Sequence, residues 1–240
     1  MGEISKDVRG GSMQAVILAA GLGTRLHPYT FETPKPLMPV NNKPFIWYLL
    51  NYIRTQTIKD VVICTGYRTD QIYDYIGDGS QFGLRIRYST ETGNIQGTYH
   101  TLKKAQPLLD DVFVVINGDT YMELDYHDAD AEFLLSKKKG MVVVYGKPEV
   151  TGVRGNIDAE EGRVIKYSKT KNYDYVDAGV LFLKRDVLGQ GRAVPGSIED
   201  MIFQPLVKQF QLAAYESPNR FYDIGTPKRW KEFERFTVEA

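Results

Sequence analysis

Apolar runs that do not alternate, spaced by segments of helical period, predict an α/β fold: a mixed, mainly parallel sheet with helices on both faces and a small β elaboration over its open end. Runs such as Val112-Phe113-Val114-Val115-Ile116 are apolar at every position, as a strand covered on both faces requires. β-branched runs separated by helices are the pattern of parallel crossovers. Across residues 13–240 no internal repeat, low-complexity tract or Pro/Gly-rich linker interrupts the rhythm, so one domain is expected there.

The elements follow in order. Ala15-Val16-Ile17-Leu18 reads as the first buried strand. Pro44 to Arg54 reads as a helix, with proline in its first turn and Ile46, Leu49, Leu50 and Ile53 on one side. Val61-Val62-Ile63 is the next strand, Asp70 to Ile76 a helix, and Leu84 to Tyr88 an alternating strand. Thr98 to Ala105 is helical, and Val112 to Ile116 is again fully apolar. After Met141 to Tyr145 the rhythm changes: Gly162-Arg163 marks a small hairpin turn, and Tyr175 to Leu183 a strand. Ile198 to Phe210 is expected as a helix, Leu212 to Tyr215 as a strand, and a last helix follows Pro227.

Composition narrows the function. Thirty Lys and Arg balance thirty Asp and Glu, so no global basic field marks a nucleic-acid binder, and any anion site must be local. The one cysteine, Cys64, sits in an apolar run, where inert packing is expected. No apolar run approaches the ~20 residues of a membrane span. Residues 1–12 are polar, of mixed charge and without an apolar centre, so they are expected to be a disordered leader or cloning remnant rather than a signal peptide. A cytoplasmic location is expected. Oligomeric state is left open, a homo-oligomer included.

The strongest local signal follows the first strand: Ala19-Ala20-Gly21-Leu22-Gly23-Thr24-Arg25-Leu26, then Thr33-Pro34-Lys35-Pro36-Leu37. Two glycines just past a strand let backbone N–H groups approach phosphate oxygens. Arg25 adds a planar, permanent charge suited to phosphate, and Lys35 is a point charge on a proline-stiffened loop. A dinucleotide fingerprint would need a glycine where Leu26 stands, and a P-loop would need Gly-Lys-Ser/Thr. The plain alternative is a tight turn carrying two surface cations.

Gly21-Leu22-Gly23-Thr24-Arg25-Leu26, with Pro28, Thr30, Pro34-Lys35-Pro36-Leu37 and Pro39-Val40, resembles the signature of the sugar-1-phosphate nucleotidyltransferase family. The likeness runs over nearly all of residues 13–240, and is greatest to short bacterial members that activate heptose, mannose and N-acetylmuramate. It implies a Rossmann-like fold with its site at the carboxyl ends of the strands. It also implies that Arg25 and Lys35 grip the triphosphate, with Ala20, Gly21, Gly23 and Thr24 beside it.

The same resemblance makes Asp119, in Asn117-Gly118-Asp119, and Asp223, in Phe221-Tyr222-Asp223-Ile224-Gly225, the pair that holds Mg²⁺. An aspartate at a strand's carboxyl end suits an ion bound through one or two carboxylates plus substrate phosphates. The alternatives are a turn aspartate at 119 and a helix cap at 223. On the acceptor side Lys169 matches the lysine that meets the sugar phosphate, with Asn117, Asn156 and Asp177 lining that pocket. Here the chain departs from its relatives: Ser168 stands where they carry glutamate, and Asp177 where they carry asparagine. A surface lysine is the alternative reading of Lys169.

A further departure concerns the base. Relatives carry Gly-Thr-Gly-Gly or Gly-Thr-Ala-Gly before the third helix; here Gly97-Thr98 precedes Tyr99-His100, and the loop from Glu91 to Gln96 is one residue longer. That loop, with Gly97 and Thr98, faces base and ribose in relatives. Glu91 could accept from both N1–H and the 2-amino group of guanine, a bidentate contact worth ~1–3 kcal/mol of discrimination. His100 is expected to pack or touch ribose, since a phosphate monoester needs no general base. The implied reaction is transfer of a nucleoside monophosphate from an NTP to a sugar 1-phosphate, best served by GTP and a manno-configured sugar. Uridylyl or thymidylyl transfer to another sugar 1-phosphate, cytidylyl transfer to a non-sugar phosphate and an inactive nucleotide-sensing domain are the alternatives.

Overall fold

The computed structural model describes residues 13–56 and 58–239; the leader expected over residues 1–12 lies outside them. β1 (Gln14–Ala19) leads into three 3₁₀ turns, then β2 (Pro39–Val40) and β3 (Lys43–Pro44) form a short hairpin before α1 (Phe45–Thr55). β4 (Asp60–Thr65), α2 (Thr69–Ile76), β5 (Arg85–Thr90), α3 (Thr98–Ala105) and β6 (Val112–Asn117) complete a parallel half in which β1 pairs with both β4 and β6. The second half holds β7 (Thr120–Met122), α4 (Tyr126–Ser136), β8 (Gly140–Tyr145), α5 (Pro148–Thr151), β9 (Ile157–Glu160), β10 (Arg163–Tyr167) and β11 (Val176–Lys184). α6 (Gln204–Lys208), β12 (Leu212–Glu216), β13 (Phe221–Asp223) and α7 (Pro227–Glu239) close the chain.

These strands make one nine-stranded sheet, ordered β5-β4-β1-β6-β11-β8-β12-β10-β9, and β13 pairs with β7 apart from it. β11 runs antiparallel between β6 and β8, so the sheet is mixed as expected. Alternation along β1 sorts the core: Ala15, Ile17 and Ala19 face one layer with Ile46, Leu49 and Ile53 of α1 and Phe133 of α4. Val16 faces the other, with Leu102 of α3 and Phe203 and Leu206 around α6. A third cluster joins Phe233 of α7 to Leu26, Met38, Val40 and Phe45. Cys64 is fully buried in β4, and burial, with Glu91 nearby, pushes its thiol up to about 12; packing, not reactivity, is its part.

Three sequence expectations shift. The hairpin turn is Glu161-Gly162, both with positive φ, since Glu160 pairs with Arg163. The helix expected over 198–210 opens as a π-turn at Glu199–Phe203 and ends at Lys208. Pro205 has no N–H to donate back to residue 201, and a wider turn accommodates that loss. Finally, α4 was not anticipated, because Asp128, Asp130 and Glu132 dilute its apolar stripe. Asp125 caps it by accepting from the Asp128 N–H at 2.9 Å.

Candidate active site

A cavity of about 360 Å³ opens at the carboxyl ends of β1 and β6. Ala20, Gly21, Gly23, Thr24 and Arg25 line it from the loop after β1, and Lys35 from the proline-flanked turn. Gly97 and Thr98 line it from the start of α3, and Asn117 and Asp119 from the end of β6. Distant segments therefore converge because parallel strands all end on one edge. Gly118 is what lets Asp119 reach that edge: a Cβ there would stand 2.6 Å from the Leu18 carbonyl oxygen. Leu18, Pro36 and Ile95 give the cavity an apolar wall that sequence reading had not foreseen.

Within the cavity, the Lys35 ammonium donates to Asp119 Oδ2. Burial works against the Asp119 charge, but Lys35, the Thr120 hydroxyl and Arg25 together hold its carboxyl below the usual range. Asp223 stands beside this group rather than in the cavity wall. β13 pairs Asp223 with Thr120, and the Ile224 N–H donates to the Asp119 carbonyl at 3.0 Å. Its Oδ1 accepts from the Gly225 N–H at 2.6 Å and from Arg229 Nε at 2.8 Å. A Cβ built on Gly225 would lie 2.6 Å from that same Oδ1 and 3.4 Å from Arg25 Nη2. Residues 119 and 223 are thus neighbours along the backbone, each carboxylate paired with its own cation, and Asp223 does not cap α7. Among the described residues no group of three or more His, Cys, Asp or Glu stands ready to hold a metal ion. Two carboxylates and phosphate oxygens are instead the donor set a hard divalent ion takes in such sites.

Glu91 corrects an expectation. It is 4% exposed and does not face the cavity. Its Oε2 accepts from the Thr101 hydroxyl at 2.6 Å, and its Oε1 from the Gln96 N–H at 3.1 Å, with His100 Nδ1 2.7 Å away. Each oxygen therefore already has a partner within the chain. What Glu91 does is tie the loop at 91–96 to the first turn of α3. His100 packs, as expected.

Of the residues expected on the acceptor side, Asn117 lines the cavity, whereas Asn156, Lys169 and Asp177 stand outside its wall. Asn156 Oδ1 accepts from the Asp177 N–H at 2.9 Å, and Asp177 Oδ1 from the Gly179 N–H at 2.8 Å. Gly179 in turn backs onto Asn117 and Thr120, which joins this cluster to the cavity. Burial, helped by Glu199 and opposed by the Gly179 N–H, pushes the Asp177 carboxyl up to about 7. Lys169 donates to Asp200 Oδ2 at 2.8 Å and to Ser197 Oγ at 3.0 Å. Arg154 holds the Lys169 carbonyl. Ser197, Glu199 and Asp200 were missed in the sequence because Ser-x-x-Asp before an apolar run reads as an ordinary helix cap.

The nucleotidyl transferase family model matches residues 14–239. The chain is 28% identical over 224 residues to D-glycero-alpha-D-manno-heptose 1-phosphate guanylyltransferase of Campylobacter jejuni, covering 92% of this chain and 98% of that one. It is 32% identical to mannose-1-phosphate guanylyltransferase of Mycobacterium tuberculosis, over 90% of this chain and 62% of that one. Among solved structures, HddC from Yersinia pseudotuberculosis complexed with GMP-PN superposes with a TM-score of 0.79 at 25% identity, covering 94% of this chain and 99% of that one. No helix among the described residues is long and apolar enough to cross a membrane.

Proposed function

Because the chain belongs to the nucleotidyl transferase family, we propose that it transfers a nucleoside monophosphate from an NTP to a sugar 1-phosphate and releases pyrophosphate. The observation that carries this reading is one cavity in which Gly21, Gly23, Arg25, Lys35 and Asp119 meet. Arg25, Lys35 and the loop amides bind and orient the triphosphate. Lys169 and Asn117 direct the acceptor phosphate toward the α-phosphorus. An acceptor oxygen attacks, the bond to the β-phosphate bridging oxygen breaks, and the pair leaves as pyrophosphate. Alignment and charge neutralisation are the protein's work, and no covalent enzyme intermediate is needed.

Asp119 and Asp223 fit a bound Mg²⁺: both are oxygen donors beside the triphosphate loop, and Asp119 is kept ionised by its cations. When bound, the ion would neutralise charge on the phosphates. Lys35 pairs with one of these carboxylates and Arg229 with the other.

GTP with a mannose- or heptose-type sugar 1-phosphate is the proposed substrate pair, supported by the relatives' names and the GMP-PN complex. Glu91 no longer supports that base choice. The NTP and phosphosugar chemistry suits the cytoplasm. Pyrophosphate release, measured across GTP, UTP, dTTP and CTP with a panel of sugar 1-phosphates, tests the reading. Turnover is expected with GTP, lost in EDTA and restored by Mg²⁺. Asp119→Asn should cost at least ~100-fold in kcat, as loss of a preorganised electrostatic contact does. Absence of pyrophosphate with every pair would leave only a nucleotide-sensing domain.

A further inference from the structure

The donor loop and the acceptor lysine are far apart in sequence, yet one short segment touches both. The Gly196 N–H donates to the Gln96 carbonyl at 2.9 Å, and the Gly196 carbonyl accepts from the Tyr99 N–H at 3.0 Å. The Ile198 N–H donates to Thr98 Oγ1 at 2.9 Å. The approach is close enough to dictate composition. Gly97 holds φ +104°, and a Cβ there would lie 2.3 Å from the Gly196 carbonyl oxygen. Only glycine permits both that conformation and that contact. Gly97 and Thr98 line the nucleotide cavity, so 196–198 is strapped directly to its wall.

From the strap the contacts continue to Lys169. Ser197 Oγ donates to Asp200 Oδ2 at 2.7 Å and accepts from the Asp200 N–H at 3.2 Å. Lys169 Nζ donates to both groups, closing a triangle of Ser197, Asp200 and Lys169. Lys169 in turn holds the Asp200 carboxyl below its usual range. An ammonium has three donors; this triangle uses two, and with Glu199 Oε2 4.0 Å away, beyond hydrogen-bond reach, the third is left for a phosphate oxygen. A lysine side chain is rich in rotamers, and one fixed beforehand gives up less of that freedom when the acceptor arrives. The π-turn at Glu199–Phe203 sets Asp200 on this face, and such turns recur at functional sites.

We propose that residues 196–200 couple the two substrate sites: the donor loop fixes the strap, and Ser197 and Asp200 are positioning residues that aim Lys169 at the acceptor phosphate. This rests on the acceptor role of Lys169 proposed above. Nucleotide bound against Gly97 and Thr98 would steady the strap and so preset the lysine for the second substrate.

Two measurements test it. In hydrogen exchange with Mg²⁺ and the nucleotide that turns over best, but no acceptor, amides 196–201 should gain protection together with 96–101. Protection confined to the glycine loop and 96–101 overturns the coupling. In steady-state kinetics at saturating NTP, Asp200→Asn should raise the acceptor KM about fivefold, the upper end for an exposed charge pair. With NTP varied at saturating acceptor, the NTP KM should stay within twofold; Asp200→Glu should restore acceptor binding, and Asp200→Asn should add nothing in a Lys169→Ala background. An unchanged or lowered acceptor KM in Asp200→Asn, beside a raised one in Lys169→Ala, overturns the positioning role alone. An unchanged acceptor KM in Lys169→Ala removes the acceptor role of Lys169, and this proposal with it.

Discussion

Glu91 and Asp177 are carboxylates of the same valence in opposite circumstances. Glu91 is buried but matched: Thr101, Gln96 and His100 surround its oxygens. It ties down the loop that leads into Gly97 and Thr98 of the cavity wall. Glu91→Gln should therefore weaken NTP binding about tenfold, within the cost of breaking a buried charged hydrogen bond, and leave the order of preference among GTP, UTP, dTTP and CTP unchanged. Calorimetry with each NTP checks this, and a reordered preference would return Glu91 to the base. Asp177 is recessed with only the Gly179 N–H against its charge, and Glu199 nearby. Its carboxyl, raised to about 7, binds its proton more tightly in the folded chain than in the unfolded one. Stability contributed by that proton is present at low pH and declines as pH rises from about 4 toward 7. Asp177→Asn should remove this contribution to the pH slope, and raise the midpoint of thermal unfolding at pH 8 relative to wild type. Thermal melts from pH 4 to 8 measure it; parallel curves for the two proteins would show that Asp177 ionises without strain.

At the scale of elements, α7 links packing to the site. Its Phe233 is fully buried among Phe45, Tyr48, Tyr121 and Tyr222, and Arg229, one turn earlier, holds Asp223. Phe233→Ala should cost about 3–5 kcal/mol, as truncation of a buried phenylalanine does, read from urea unfolding. A loss under 1 kcal/mol would mean α7 frays from the body without consequence. The β7–β13 pair works similarly, setting Asp223 opposite Thr120 and beside Asp119. Both strands are three residues long. So short a run carries no readable period, and of the two only the stretch ending at Asp223 reads as strand-like in the sequence.

Across the whole molecule, the cavity opens on one edge of the sheet because β1, β4, β5 and β6 run the same way, and β11 returns antiparallel beside β6. The buried strands and most helices were legible from the chain, since burial on both faces forces continuous apolar runs and burial on one face forces a helical stripe. The Gly21–Arg25 loop, Lys35, Asn117 and Asp119 line one cavity, and what the chain itself offers toward a phosphate site there is two glycines and two cations at fixed local spacing just past a strand. What the tertiary structure alone decided is pairing between segments: Lys35 with Asp119, Asp223 with Arg229, Glu91 with Thr101, and Lys169 with Ser197 and Asp200. A carboxylate has the same letter whether it reads a ligand or braces a loop. Only the packing around it chooses, because the nearest donor in space takes its oxygens, and nearness in space is a property of the fold.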